Sequence, residues 1–124
     1  MQYRTLSLLC MLAYYVEWDM RQTLAPMLFD DHDRAAAEAG RTSPVAKAKV
    51  SKAAQRKAAT QHVDVGDGEI HPVHSFRTLL LDLATLTRNT VCFAGKKMLT
   101  VQSTATPVQR CALRLLNVEL AAAA

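Results

Sequence analysis

One apolar stretch, "LLCMLAYYVEWDMRQTLAPMLFDD" from Leu8 to Asp31, constrains the fold of this chain more than any other part. The almost purely apolar run from Leu6 to Val16 supplies only about half of the roughly 20 residues that a membrane-spanning helix needs. Glu17, Asp19 and Arg21 follow it at once. A secretory signal is not indicated either, because no small-x-small cleavage site comes after the run. We therefore interpret the stretch as a core helix, and we predict neither a membrane span nor a signal peptide.

The spacing of the apolar residues in this stretch is helical. They recur at intervals of three and four and form one continuous face, namely Leu6, Leu9, Cys10, Ala13, Val16, Met20, Leu24 and Met27. Pro26 disturbs the pattern near its end. A helix this apolar normally packs inside a larger body. For the isolated chain we expect self-association through the apolar helix of residues 6–28, or partial unfolding.

The length, composition and charge of the chain place only broad limits on its function. A length of 124 residues, half of them apolar, fits one domain with a modest core. The 15 Lys and Arg residues against 11 Asp and Glu residues permit a polyanionic partner without requiring one. Cys10, Cys92 and Cys111 are an odd number at wide spacings, which predicts free thiols in a reducing cytoplasm.

The composition divides the chain into three segments. Residues 1–39 hold the apolar helix and a short second helix in "DDHDRAAAEAG", for which Asp30 or Asp31 is the expected N-cap and Gly40 the expected end. Residues 40–74 are predicted to form a basic flexible linker, because residues 41–60 contain no Leu, Ile, Met or aromatic side chain. Its Ala-rich part allows a fluctuating helix.

Residues 75–124 predict a helix, a β-hairpin and a last helix. Ser75 is a suitable N-cap for "FRTLLLDLATLTRN". "TVCF" and "MLTVQST" flank the short loop "AGKK", as in a hairpin. In "TPVQRCALRLLNVEL", Thr106, Pro107 and Gln109 have the spacing of a capping box. The expected fold class is mainly α with a small β-hairpin.

Three blocks in this order carry a resemblance to a protein family: "LCMLAYYVEWDMRQTLAPMLFDDHDRAAAEAGRTSPVAKAKVS", "VHSFRTLLLDLATLTRNTV" and "TPVQRCALRLLNVEL". Together they resemble the C-terminal end of bacterial insertion-sequence transposases of the DDE type, over most of residues 10–120. The resemblance implies an RNase H-like α/β fold, of which this chain would be the C-terminal part and not a complete independent domain. In that family two Asp and one Glu hold divalent ions such as Mg²⁺ for DNA strand cleavage and transfer, a chemistry that suits paired metals.

The resemblance also implies that this chain has no catalytic residues of its own. In the family the third carboxylate precedes the apolar helix and the two Asp residues come earlier still, whereas this sequence starts after that point. We therefore expect a C-terminal transposase fragment that is inactive alone, with no catalytic residue, no metal ligand and no cofactor in this chain. DNA would be its partner through the intact enzyme.

Other sites are weakly indicated by the residues themselves. Asp30, Asp31, His32 and Asp33 are adjacent, so their side chains diverge, and helix capping explains them better than a metal. The "DVGDGE" segment lacks the ligand spacing of a calcium loop. Three histidines have no cysteine at zinc spacing, and a solvated loop is the simpler interpretation for them, namely His62, His71 and His74. Ser75 next to His74 is not a nucleophile–base pair, because sequence neighbours rarely form one.

The remaining candidate for activity is the basic segment "RTSPVAKAKVSKAAQRKAAT". Its cations can contact DNA phosphates without reading sequence, and the candidate DNA-binding residues are Lys47, Lys49, Lys52, Arg56 and Lys57. The segment lacks aromatic residues for base stacking, so a solvated linker is the competing interpretation. The alternative function is a small basic helical module that binds DNA itself or interferes with an intact transposase.

Overall fold

The computed structural model describes residues 2–95 and 97–120. Within them, five α-helices and four β-strands follow one another: α1 Gln2–Leu24, α2 Arg34–Ala39, α3 Lys52–Thr60, β1 His62–Asp64, β2 Ile70–Pro72, α4 Phe76–Leu83, β3 Arg88–Cys92, β4 Met98–Gln102 and α5 Pro107–Leu115. The strands form two separate antiparallel hairpins, β1–β2 and β3–β4. The expected class of a mainly helical chain with a hairpin is confirmed, and a second hairpin is added to it.

The predicted apolar helix is confirmed as α1, and it ends before Pro26. Residues Ala25–Met27 continue as a single 3-10 turn, with Pro26 in its first turn. Since Pro has no backbone N–H and its ring clashes with the preceding turn of an α-helix, the chain leaves the α conformation there. Leu28 is extended, so the apolar pattern runs a few residues beyond the α-helix itself.

The core lies at the C-terminal end of α1, where three segments of the chain meet. It consists of the end of α1 and the turn after it, the inner face of α4, and the middle of α5: Leu24, Met27, Leu28, Phe76, Leu79, Cys111 and Ala112. A short backbone bridge fixes the chain after α1 beside the entry to α4, with the Phe29 amide donating to the His74 carbonyl and the His74 amide to Met27. The larger part of α1 extends beyond this core.

Helix capping follows the sequence closely with one correction. Ser75 and Thr106 cap α4 and α5 as predicted, and the capping box of Thr106 and Gln109 is complete. The cap of α2 is Asp33, whose side chain accepts from the Ala36 amide, so the expectation of Asp30 or Asp31 is wrong by two or three residues. Asp31 instead accepts hydrogen bonds from the Ser51 amide and hydroxyl, both at 2.7 Å.

The segment 40–74, predicted as a flexible linker, contains regular structure in its second half. Ser51 caps α3, and β1–β2 pairs His62 with Pro72 and Asp64 with Ile70. Burial in this segment comes mostly from small and polar side chains, for example Ser51, Ala54 and His71, and Val73 is its buried branched apolar residue. Residues 41–50, in contrast, hold no helix or strand.

A glutamine side chain connects α5 to α4. Gln109 is 2% exposed, and its amide nitrogen donates to the carbonyl of Asp82 and the hydroxyl of Thr85, both at 2.8 Å. Its side-chain oxygen accepts from the Thr106 amide as part of the capping box. The cap that starts α5 therefore also positions α5 against the end of α4.

Candidate functional site

The first candidate surface consists of the ten large apolar side chains between Tyr3 and Trp18. They cover most of the circumference of α1, and this surface is called the apolar side of α1 below. Each is between 47% and 85% exposed: Tyr3, Leu6, Leu8, Leu9, Met11, Leu12, Tyr14, Tyr15, Val16 and Trp18. Leu24 is the buried residue of α1. Monomeric soluble proteins rarely expose a contiguous apolar surface of this kind, and large ones mark sites of interaction.

Part of this surface forms an open apolar groove between α1 and α4. The groove has a volume of about 530 Å³ and is lined mainly by Leu9, Leu12, Ala13, Val16, Met20, Phe76 and Leu80. Arg21 lies over the ring of Phe76, with its guanidinium carbon 4.3 Å from the ring centre, and pairs with Glu17 at 3.1 Å. The apolar side of α1 thus continues onto α4.

The second candidate surface is the basic segment proposed for DNA. Four of its five candidate residues are exposed, namely Lys47, Lys49, Lys52 and Arg56. Lys52 and Arg56 lie four residues apart on α3 and share one helical face. Contact with DNA remains a prediction for these four side chains.

Lys57, the fifth candidate, is placed differently. It is 5% exposed, and its ammonium donates to the carbonyl oxygens of Ala25 at 3.0 Å and Leu28 at 3.1 Å and lies 3.0 Å from Nδ1 of His32. Burial lowers the pKa of Lys57, because a low-dielectric environment disfavours the charged form. The ammonium is used inside the fold, holding α3 to the turn after α1, and is not presented to a phosphate.

The third candidate is a cluster of three side chains, Asp67, His71 and Cys111, called the Asp–His–Cys cluster below. Their potential ligand atoms all lie within 4.8 Å of one another. Oδ2 of Asp67 lies 2.7 Å from Nε2 of His71, and Nη2 of Arg114 donates to the same oxygen at 3.3 Å. His71 is 2% and Cys111 3% exposed. The loop of the β1–β2 hairpin is joined to α5 at this point.

The local sequence explains how Asp67 reaches α5. Gly66 and Gly68 flank it with φ of 86° and 78°, values that side-chain-bearing residues rarely adopt. The tight turn lets Oδ1 of Asp67 accept from the Glu69 amide at 3.2 Å. Oδ2 is thereby directed at β2 and α5.

The charges of the cluster argue against a cysteine nucleophile. The hydrogen bond from His71 lowers the pKa of Asp67 to about 2, so the carboxylate is ionised. Burial, reinforced by this carboxylate, raises the pKa of the Cys111 thiol. Reactive cysteines need a lowered pKa, whereas the pKa of Cys111 is raised, and the imidazole of His71 is engaged by the Asp67 carboxylate. The arrangement suits a cation between the three groups better than attack by sulfur.

The sequence interpretation missed this cluster. His71 is buried against a cysteine, so its assignment to a solvated loop with His62 and His74 is wrong. Cys111 lies 40 residues further along the chain, and no spacing rule links the two. The two glycines around Asp67 were the available signal for a tight loop, but they carry no information about what that loop packs against.

Among the described residues no three carboxylates lie together, and the group just described contains a single Asp. Asp31 is engaged by Ser51 and Asp33 by the N-terminus of α2. Over the same residues, no helix combines the length and the apolar character that crossing a bilayer requires.

Comparison of the chain with known proteins finds no matching family model, no matching curated protein and no matching solved structure.

Proposed function

We propose that this chain is the C-terminal portion of a DDE-type transposase, a non-catalytic part whose apolar helix packs against the catalytic core of the enzyme. The exposed apolar side of α1 carries the proposal. Ten large apolar side chains on one helix need a protein partner of considerable size to cover them. The sequence blocks resemble a family in which such a helix is part of a larger protein. The strand cleavage and transfer would be performed by carboxylates that this chain does not supply.

The experiment is to sequence the DNA upstream of the start codon and translate it in all three frames. The proposal expects an array of Asp, Asp and Glu in RNase H-like context directly upstream, interrupted by a stop codon or a change of frame or continuous with this chain. An upstream region without that array, together with a separate ribosome-binding site for this chain, would rule the proposal out.

A second function is favoured by the four exposed cations of the basic segment. On this proposal the chain is a small helical module that binds DNA phosphates itself, or pairs with an intact transposase and interferes with it. Four exposed cations within ten residues, two of them on one face of α3, suit non-specific phosphate contacts. Binding of the isolated chain to duplex DNA would distinguish this function from that of a passive fragment.

A further inference from the structure

We propose that Asp67, His71 and Cys111 form a Zn²⁺-binding site. The inference does not rest on the transposase proposal, because it uses only the hairpin loop and α5. Carboxylate oxygen, imidazole nitrogen and thiolate sulfur are all ligands of Zn²⁺. Here they converge from the β1–β2 hairpin and from α5, and His71 and Cys111 are 40 residues apart in the sequence.

The distances require a small adjustment. Ligands of a tetrahedral zinc ion at about 2.0–2.3 Å are separated from one another by about 3.3–3.8 Å. The three ligand atoms lie within 4.8 Å of one another, and the Asp67–His71 pair is at 2.7 Å. The ion would enter between Asp67 and His71 and widen that pair, while Cys111 closes toward it by at most about 1 Å.

The surroundings resemble the support that metal ligands usually have. The second oxygen of Asp67 is already fixed by the Glu69 amide, and hydrogen bonds to a ligating carboxylate orient it toward the metal. Two of the three ligands are almost completely buried, and the Asp67 side chain is 11% exposed. The three groups leave one tetrahedral position for water or for a ligand from a partner.

Arg114 occupies the place of the cation in the present arrangement. Its Nη2 lies 3.3 Å from Asp67 and 3.6 Å from the sulfur of Cys111. Its side chain is 54% exposed, so it can turn into solvent when the ion binds. The bound ion takes the thiol proton's place on sulfur, and that proton is released to solvent.

The test is titration of the full chain, reduced and metal-free, with Co²⁺ as a spectroscopic probe and then with Zn²⁺ in competition. We expect one equivalent of Co²⁺ to give a thiolate charge-transfer band in the near ultraviolet and intense visible bands, both removed by Zn²⁺. Cys111→Ser should abolish the thiolate band and His71→Gln should weaken binding at least tenfold. The matched controls Cys92→Ser and His62→Gln, at exposed positions, should bind as the unaltered chain does.

Arg114→Gln distinguishes a metal site from a purely structural hydrogen-bond cluster. Removing the competing cation should strengthen Zn²⁺ binding several-fold. If the cluster is purely structural, the substitution should not change Zn²⁺ affinity. Absence of a thiolate band in the unaltered chain, or a band that persists in Cys111→Ser, would overturn the proposal. If Cys111→Ser fails to fold, the alkylation rates of the unaltered chain with and without Zn²⁺ decide. Zn²⁺ must slow alkylation of Cys111 below the rate that burial alone allows and leave the rates of exposed Cys10 and Cys92 unchanged; an unchanged rate at Cys111, or equal slowing of all three, is the contradicting result.

Discussion

At the scale of single residues, Lys57 shows how a side chain that looks like part of a basic surface can serve the interior. Replacing Lys57 by Met keeps the aliphatic stem but removes the ammonium that donates to the carbonyls of Ala25 and Leu28. The Ala25 carbonyl keeps the Leu28 amide as a donor, whereas the Leu28 carbonyl loses the ammonium. An unsatisfied buried polar group costs about 1–3 kcal/mol, so we expect the free energy of unfolding to fall by about that amount in urea denaturation. Lys52→Met, an exposed position on the same helix, should change it by less than about 0.5 kcal/mol. Equal effects of the two substitutions would contradict this role.

The carboxylate of Asp31 gives a prediction for acid pH. Hydrogen bonds from the Ser51 amide, and next from the Ser51 hydroxyl, lower the pKa of Asp31 below its ordinary value of 3.8. Because the unfolded chain then binds the proton more readily than the folded chain, the stability that Asp31 contributes is present above about pH 4 and is lost as the pH falls through the lower, folded pKa.

Asp31→Asn removes this titration. We expect the variant to be less stable than the parent at neutral pH, with a difference that shrinks on acidification toward pH 2, as measured by thermal melts across that range. Asp30→Asn, at an exposed neighbouring position, is the control and should follow the parent. A difference between parent and Asp31→Asn that stays constant with pH would show that the carboxylate charge is not involved.

At the same scale the sequence predicted local roles better than distant ones. Ser75 and Thr106 were identifiable as caps because the acceptor side chain and the donor amide lie three residues apart. Lys57 was misjudged because its partners Ala25, Leu28 and His32 lie 25 to 32 residues away along the chain, and His71 was misjudged because Cys111 lies 40 residues further on. No local sequence pattern predicts which distant segment will pack against these residues.

At the scale of elements, the capping box of α5 should matter for the Asp–His–Cys cluster as well as for the helix. Thr106→Ala removes the acceptor for the Gln109 amide at 3.3 Å, and losing such a cap costs about 1 kcal/mol. We expect this loss in chemical denaturation, with faster alkylation of Cys111. Thr104→Ala, two residues before the cap and exposed, is the matched control. A variant at Thr106 as stable as this control would show that the cap contributes little.

The elements themselves were largely predictable, and their exceptions have physical causes. The β3–β4 hairpin and α4 exist as their apolar and β-branched patterns predict, but α4 ends at Leu83 rather than Asn89, and β3 already begins at Arg88. The β1–β2 hairpin has strands of only three residues, too short for an alternating pattern to stand out. α3 is mostly Ala, Lys, Gln and Arg, good helix formers without an apolar stripe, so its burial through Lys57 left no signal in the sequence.

At the scale of the whole molecule, the exposed cations of the basic segment should decide whether the chain acts on DNA by itself. If they contact phosphates, retention of a DNA duplex should weaken steeply with added salt. Lys47→Gln with Lys49→Gln and Lys52→Gln should then lower the slope of log affinity against log salt by roughly 2 to 3. The measurement is fluorescence anisotropy with labelled duplex over a range of salt concentrations.

A charge-matched variant serves as the control for this prediction. It removes three exposed cations outside the segment, by Arg4→Gln, Arg77→Gln and Lys97→Gln. A larger loss of DNA affinity in the segment variant than in the control variant supports a defined phosphate-binding surface. Equal loss in both variants would indicate attraction by net charge alone.

We expect the apolar side of α1 to be buried against a protein partner. The sequence identified the helix and its stripe, yet in the structure ten of its large side chains are about half or more exposed. The sequence pattern predicts that this surface is covered, but it does not identify the partner that covers it.

The most direct test of this claim is sedimentation velocity of the isolated chain in the tens of micromolar range. We predict reversible self-association, because the uncovered helices of two or more copies bury one another. Leu9→Glu with Leu12→Glu, in the apolar groove, should give a folded monomer, whereas Ser7→Glu with Gln22→Glu, at exposed polar positions of the same helix, should associate like the parent. A parent chain that sediments as a single monomeric species and melts cooperatively would contradict the claim.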